Sequence, residues 1–218
     1  MSVHLRREID KLKQSLLLLC RMVEEQVKMA VQALLDRDQS LAERVTERDD
    51  EIDQREVEVE EDCLRVLALY QPVAIDLRLI VSVLKINNDL ERVGDLAVNI
   101  AHKALAVVNE QVAVPEVLPE MAARTQSMLH DSIDALVALD SKVAADVCTR
   151  DDEVDELKRI IRLEVEDRIE VNPRHLRPLL RLLAVSRNLE RIADCATNIA
   201  EDIIYMIEGR IVRHHEGE

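Results

Sequence analysis

Two carboxylates four residues apart on a helix share one face. Two such pairs on facing helices make a pocket of negative charge for a multivalent cation. In two motifs that each occur twice, four pairs have this spacing: Asp49 with Asp53, Glu91 with Asp95, Asp151 with Asp155, and Glu190 with Asp194. Asn99 and Asn198 continue the Glu91 and Glu190 rows by one more turn. His102, a heptad after Asp95, and its counterpart Glu201 extend the rows as outer ligands. Glu91 also interrupts an apolar line of Leu84, Val98 and Leu105, and a carboxylate in such a line requires a counter-charge. Four carboxylates brought together are either partly protonated or neutralised by cations. Shells of carboxylate with an amide nearby suit Mg²⁺, Mn²⁺, Ca²⁺ or iron, and the lack of His and Cys within the four pairs disfavours zinc.

The elements that would position these acids come as a duplication. LDRDQSLAERVTERDDEID, from Leu35, returns as VALDSKVAADVCTRDDEVD, from Val137. NDLERVGDLAVNIA, from Asn88, returns as RNLERIADCATNIA, from Arg187, roughly 100 residues on. Each unit reads as three helices. The first set is expected at Leu5–Leu35, Gln39–Tyr70 and Asp76–Val108, the second at Glu116–Val137, Ser141–Val171 and Arg174–Gly209. Asp38 and Asp140 are expected to cap the helices that follow them, Pro72 and Pro173 to break the second hairpins, and Gly209 to end the last helix. Val83, Ile86, Leu90, Val93, Ala97 and Ile100 step by threes and fours, as do Leu182, Val185, Leu189, Ile192, Ala196 and Ile199. Such stripes are the buried faces of bundle helices.

The fold class is therefore all-α: two homologous three-helix bundles in tandem, six long antiparallel helices, joined end to end. The first bundle covers residues 1–110 and the second 116–210, with a Pro-containing linker between them and a polar tail at 211–218. Folding each unit back about its proline sets Asp53 opposite Glu91 and Asp95, and Asp155 opposite Glu190 and Asp194.

Composition narrows the function classes. The net charge of −15 repels nucleic acid and anionic membrane. An aromatic content of 1% leaves a core of Leu, Val, Ile and Ala, which suits helix-on-helix packing. Cys20, Cys63, Cys148 and Cys195 form no CxxC pair and read as reduced thiols. SLLLLC, from Ser15, is too short for a signal segment, and no stretch is long enough to span a bilayer, so a cytoplasmic location and no membrane insertion are expected.

Three readings compete for the acids. In one, Arg48, Arg92, Arg150 and Arg191 neutralise them and the protein is a ligand-free helical interaction protein. In another it is a carboxylate-bridged di-iron enzyme, but such bundles use Glu with ExxH pairs, and ExxH occurs nowhere here. In the third the acids bind metal in a regulatory protein.

The ordered motifs DDEID, ERVGD, DDEVD and ERIAD, with their NIA flanks, resemble the PhoU family of phosphate-signalling proteins over nearly the whole chain. That resemblance implies a cytoplasmic, non-enzymatic regulator and a likeness to homodimeric members. It implies partners: the phosphate ABC transporter through its ATPase, and the membrane histidine kinase of the phosphate response. It implies negative regulation of phosphate uptake and of the starvation response. It also implies divalent or trivalent metal (iron, Mn or Mg) at Asp49, Asp53, Glu91 and Asp95, and at Asp151, Asp155, Glu190 and Asp194. Ala193 stands where the first repeat has Gly94, a departure that removes no ligand.

Overall fold

The computed structural model describes residues 3–110 and 112–210, so the polar tail expected at 211–218 lies outside the described residues. Among these residues the regular structure is helical. The first unit contains α1 (Val3–Asp36), α2 (Gln39–Glu47), α3 (Asp49–Tyr70) and α4 (Ala74–Val107). The second contains α5 (Leu118–Ala138), α6 (Ser141–Cys148), α7 (Asp151–Val171) and α8 (Leu176–Glu208), with a single 3-10 turn at Pro173–His175 before α8.

The caps are where the residue types require them. The Asp38 carboxylate accepts from the Leu41 N–H, and the Asp140 carboxylate from the N–H groups of Lys142 and Val143. Gly209 closes α8 at φ 73°, a left-handed conformation glycine adopts without strain, and its N–H donates to the Tyr205 carbonyl.

One boundary departs from the sequence reading. The second helix of each unit is two helices, broken at Arg48 and at Thr149–Arg150. The acidic run explains the break. Asp49, Asp50 and Glu51 form the first turn of α3, and Asp151, Asp152 and Glu153 the first turn of α7. Carboxylates are stabilised at a helix N-terminus and destabilised at a C-terminus, so the run ends one helix and starts the next. Asp49 and Asp151 thereby become first residues of their helices.

The units are not joined end to end. They lie side by side, with α4 against α8 as the most extensive helix contact and α1 against α5 beside it. Arg78 donates to the Met206 carbonyl, Lys85 pairs with Asp202 at 3.0 Å, Asn198 reaches Asp89, and Arg181 donates to the Ala106 carbonyl. Numbers rise on α4 as they fall on α8, so the two helices run antiparallel over their whole length. His130 of α5 bonds Glu24 of α1 across the same boundary. The physical reason is that α4 and α8 are apolar on more than the face their own hairpins need. Leu96, Ala101 and Ala104 on α4, and Leu179, Ala193 and Ala200 on α8, are all buried. One continuous apolar core results.

The stripes read from sequence are buried throughout, from Val83 to Ile100 and from Leu182 to Ile199, as is the line Val45, Ile52, Val59 and Val66 on the shorter helices. A Cβ at Gly94 would meet Ile52 at 3.4 Å, at the near edge of ordinary contact, and Ala193 carries such a Cβ at the equivalent place in the second unit.

A candidate multivalent cation site in each hairpin

In the first hairpin, α3 and α4 run antiparallel from the turn at Gln71–Val73. The register is fixed by Asn87, whose amide donates to the Glu56 carboxylate at 2.6 Å and to the Glu56 carbonyl at 3.1 Å. That register brings Asp49, Asp53, Glu91 and Asp95 into mutual electrostatic contact. Burial pushes the Glu91 carboxyl above its ordinary pKa, and Asp95, Asp53 and Asp49 push it further the same way. Burial also raises Asp49; a bond from Gln26 partly offsets this, while Asp53, Asp95 and Asp50 add to it. Glu56 is a fifth carboxylate of the group, raised by burial and then by Glu60, Glu91 and Asp53.

Gln26 of α1 completes this site. It is 1% exposed; its amide nitrogen donates to Asp49 Oδ1 at 3.1 Å and to the Gly94 carbonyl at 3.5 Å. Its amide oxygen is buried without a partner among the described residues, as is that of Asn87 beside Glu56. Buried amide oxygens without partners are uncommon in folded proteins. Here two of them flank a group of carboxylates, a donor set made wholly of oxygen.

In the second hairpin, α7 and α8 bring Asp151, Asp155, Glu190 and Asp194 together in the same way. The Asp194 carboxyl is pushed up to about 6, by burial first and then by Glu190, Asp151 and Asp155, with Lys158 acting in the opposite sense. Asp151 is raised by burial and by Asp155, Asp152 and Glu190, again with Lys158 opposing.

Lys158 is the difference between the two sites. Its ammonium donates to Asp155 Oδ1 at 2.7 Å and to Glu190 Oε1 at 2.8 Å, bridging the two helices. Burial works against its charge, but the two carboxylates outweigh burial and hold its pKa above the usual lysine value. Its counterpart in the first repeat is Glu56. The counterparts of Gln26 and Asn87 are Met128 and Ser186. Met128 is buried with an apolar side chain, and the Ser186 hydroxyl donates back to Leu183 of its own helix. The second site thus carries a tethered cation where the first has a carboxylate, and lacks both amides.

The arginines do not neutralise the pairs. Arg48 is turned to Glu25 at 2.8 Å, and Arg150 to Asp131 at 2.7 Å. Arg92 and Arg191 form no ion pair among the described residues. Of the four outer positions, Asn198 turns to Asp89 across the unit boundary at 3.5 Å, because α4 packs against that side of α8. Glu201 lies by Cys148 and raises its pKa after burial has done so. Asn99 and His102 are exposed and make no hydrogen bond among the described residues. Cys195 is fully buried, its thiol pushed up to about 12 by burial, and is core rather than ligand. Gln26, Glu56, Asn87 and Lys158 are the site residues that motif reading passed over.

Among the described residues, no three His, Cys, Asp or Glu side chains are already arranged to hold a metal ion. The oxygen-only donors and orphaned amide oxygens of the first hairpin nevertheless fit a hard cation in type. The second hairpin fits less well, since Lys158 occupies the space between two of its carboxylates. No helix among the described residues is long and apolar enough to cross a membrane.

Known proteins share this architecture. The PhoU domain model matches residues 16–104 and again 118–203. The phosphate-specific transport system accessory protein PhoU homolog of Pseudomonas aeruginosa is 40% identical over 211 residues, covering 95% of this chain and 86% of that protein. The protein of the same description from Aquifex aeolicus is 39% identical over 209 residues, covering 95% of each. The crystal structure of PhoU from Pseudomonas aeruginosa superposes with a TM-score of 0.91 at 36% identity, covering 94% of this chain and 99% of that one. The phosphate transport system regulatory protein PhoU from Streptococcus pneumoniae does so at 0.87 and 30% identity, covering 95% and 99%. With two domain matches in tandem, on the same two units that the duplicated acid motifs define, this chain belongs to the PhoU family.

Proposed function

We propose that this protein is a cytoplasmic, non-enzymatic accessory regulator of a phosphate-specific transport system. In this reading it restrains phosphate uptake and keeps the starvation response off when phosphate is plentiful. Its partners are the ATPase of the transporter and the membrane histidine kinase of the phosphate response, and it works as a homodimer. The observation that carries the reading is similarity along 95% of the chain to proteins described as accessory to phosphate-specific transport.

The acid sites give that role a physical device. Asp49, Asp53, Glu91 and Asp95 would hold a divalent or trivalent ion such as iron, Mn or Mg in the first hairpin. Asp151, Asp155, Glu190 and Asp194 would do so in the second. A bound ion supplies charge neutralisation. Without it, burial and, after burial, mutual repulsion raise Glu91, Asp49 and Asp194, and that repulsion acts to part the two helices, less so in the second hairpin, where Lys158 bridges them. Because α4 and α8 also form the boundary between the units, a change in hairpin geometry reaches the whole molecule. A partner that contacts both units can read it.

Deleting the gene and assaying a phosphate-repressed alkaline phosphatase in high phosphate tests the role. Constitutive expression, restored to repression by the intact gene, is expected. Normal repression in the deletion strain would overturn the reading.

A further inference from the structure

Beside its acid cluster the second hairpin has a face of the opposite sign. A groove of about 660 Å³ between α7 and α8 is lined by Lys158, Arg159, Arg162, Arg187 and Arg191, with Glu190 as its single carboxylate. This is a concentration of positive charge in a chain whose net charge is −15. Charges elsewhere on the surface are muted beyond about 8 Å at physiological salt, so the local excess governs what the groove attracts.

The cations are available to a ligand. Arg187 and Arg191 stand one turn apart on α8, both exposed, and neither has an ion-pair partner among the described residues. Across the groove, Arg159 pairs with Glu156 at 2.7 Å and Arg162 with Glu166 at 3.6 Å, both between exposed side chains on one helix. Pairs of that kind are weak and exchange readily. Lys158 alone is committed, to Asp155 and Glu190.

The first hairpin supplies an internal control. The residues at the matching repeat positions are Glu56, Val57, Glu60, Asn88 and Arg92. The same helix pair with the same packing therefore presents an acidic face in one unit and a basic one in the other. Conservation of the bundle core does not account for that reversal, because these positions are on the outside of it.

Guanidinium groups match the oxygens of a phosphoryl group in pairs, as two parallel N–H bonds. A groove of this volume lies within the range of sites for ligands of several hundred Å³ and exceeds what one oxyanion fills. Four guanidiniums on two facing helices suit a run of two or three linked phosphoryl groups. We propose that the α7/α8 groove is a binding site for condensed phosphate chains, either free or carried by a nucleotide. The proposal goes beyond the metal reading and does not depend on it, since its arginines lie outside both sets of proposed metal ligands.

Calorimetric titration of the purified full chain with tripolyphosphate, ATP, orthophosphate and sulfate, without added divalent cation, tests it. Tripolyphosphate is expected to bind, and more tightly than orthophosphate or sulfate. Replacing Arg187 and Arg191 together by Ala should weaken it about 10-fold or more, the loss expected for charge-assisted bonds. Replacing Arg92 by Ala, the counterpart on the acidic face, should leave it unchanged. ATP binding with the strength of tripolyphosphate supports a groove that reads the phosphate chain alone. Much tighter ATP binding, lost in the same double variant, supports the groove with a nucleotide as its source. Absence of tripolyphosphate binding overturns the proposal. So does sulfate binding equally well, or unchanged affinity in the double variant with circular dichroism showing it folded.

Discussion

The two hairpins contain the same acid motifs on the same helix faces, yet they resolve the same electrostatic problem differently. In α3/α4 the carboxylates of Asp49, Asp53, Glu91 and Asp95 are joined by a fifth, Glu56, and by the amides of Gln26 and Asn87. No side-chain cation bridges them among the described residues. In α7/α8 the equivalent carboxylates are bridged by Lys158. A duplicated motif therefore does not make a duplicated site. The motif fixes where negative charge accumulates, and the residues one turn away decide whether that charge is left for an external cation. The first hairpin is the stronger candidate for a metal, and the second is already partly neutralised.

Exchanging the neutralising residue should change the comparison most. Glu56→Lys places an ammonium in the first cluster and should weaken its cation binding about 10–100-fold, the scale of effects from residues next to metal ligands. Lys158→Glu should strengthen the second cluster by a similar factor. Titration with Mn²⁺ followed by calorimetry measures both, and equal affinities in the two variants and the parent protein would remove the distinction.

A smaller effect concerns pH. The native Asp194 carboxyl has its pKa raised from 3.8 to about 6, so between those values the folded state binds more protons than the unfolded one. The stability this group contributes is fully present below its ordinary pKa and is lost as pH rises through about 6. Without metal, the melting temperature should fall from pH 5 to pH 7.5. Asp194→Asn should raise stability at pH 7.5 by about 1–2 kcal/mol, less than the whole shift because solvent screens a half-buried group. That corresponds to a melting temperature higher by about 2–8 °C for a chain of this size. A lower melting temperature in the variant at pH 7.5 would show that the charge is stabilised by partners rather than strained.

Much of this was legible in the sequence because it rests on local rules. The seams from Val83 to Ile100 and from Leu182 to Ile199 follow from helical periodicity, the Asp38 and Asp140 caps from side-chain reach, and the meeting of the acid pairs from folding back about Pro72 and Pro173. The breaks at Arg48 and Thr149–Arg150 were less visible, since apolar periodicity runs through them; only the sign of the RDDE charges against the helix dipole reveals them. The side-by-side packing of α4 on α8 was missed because a stripe shows that a face is buried but not by which neighbour. Gln26 left a signal: it stands in the seam Leu12, Leu16, Leu19, Val23 and Ala30, an amide at a core position. Lys158 left one too, opposite Glu56 when the repeats are aligned, a reversal of charge at a position one turn outside the matching acids.

The central claim, that converging carboxylates are built for a multivalent cation, is tested most directly by elemental analysis. The purified protein is incubated with Fe²⁺ or Mn²⁺, desalted, and assayed beside a variant carrying Asp49→Asn, Asp53→Asn, Glu91→Gln and Asp95→Asn. Metal retained by the parent protein and lost from the folded variant is the predicted result. No retained metal in the parent, or equal retention in both, would contradict it.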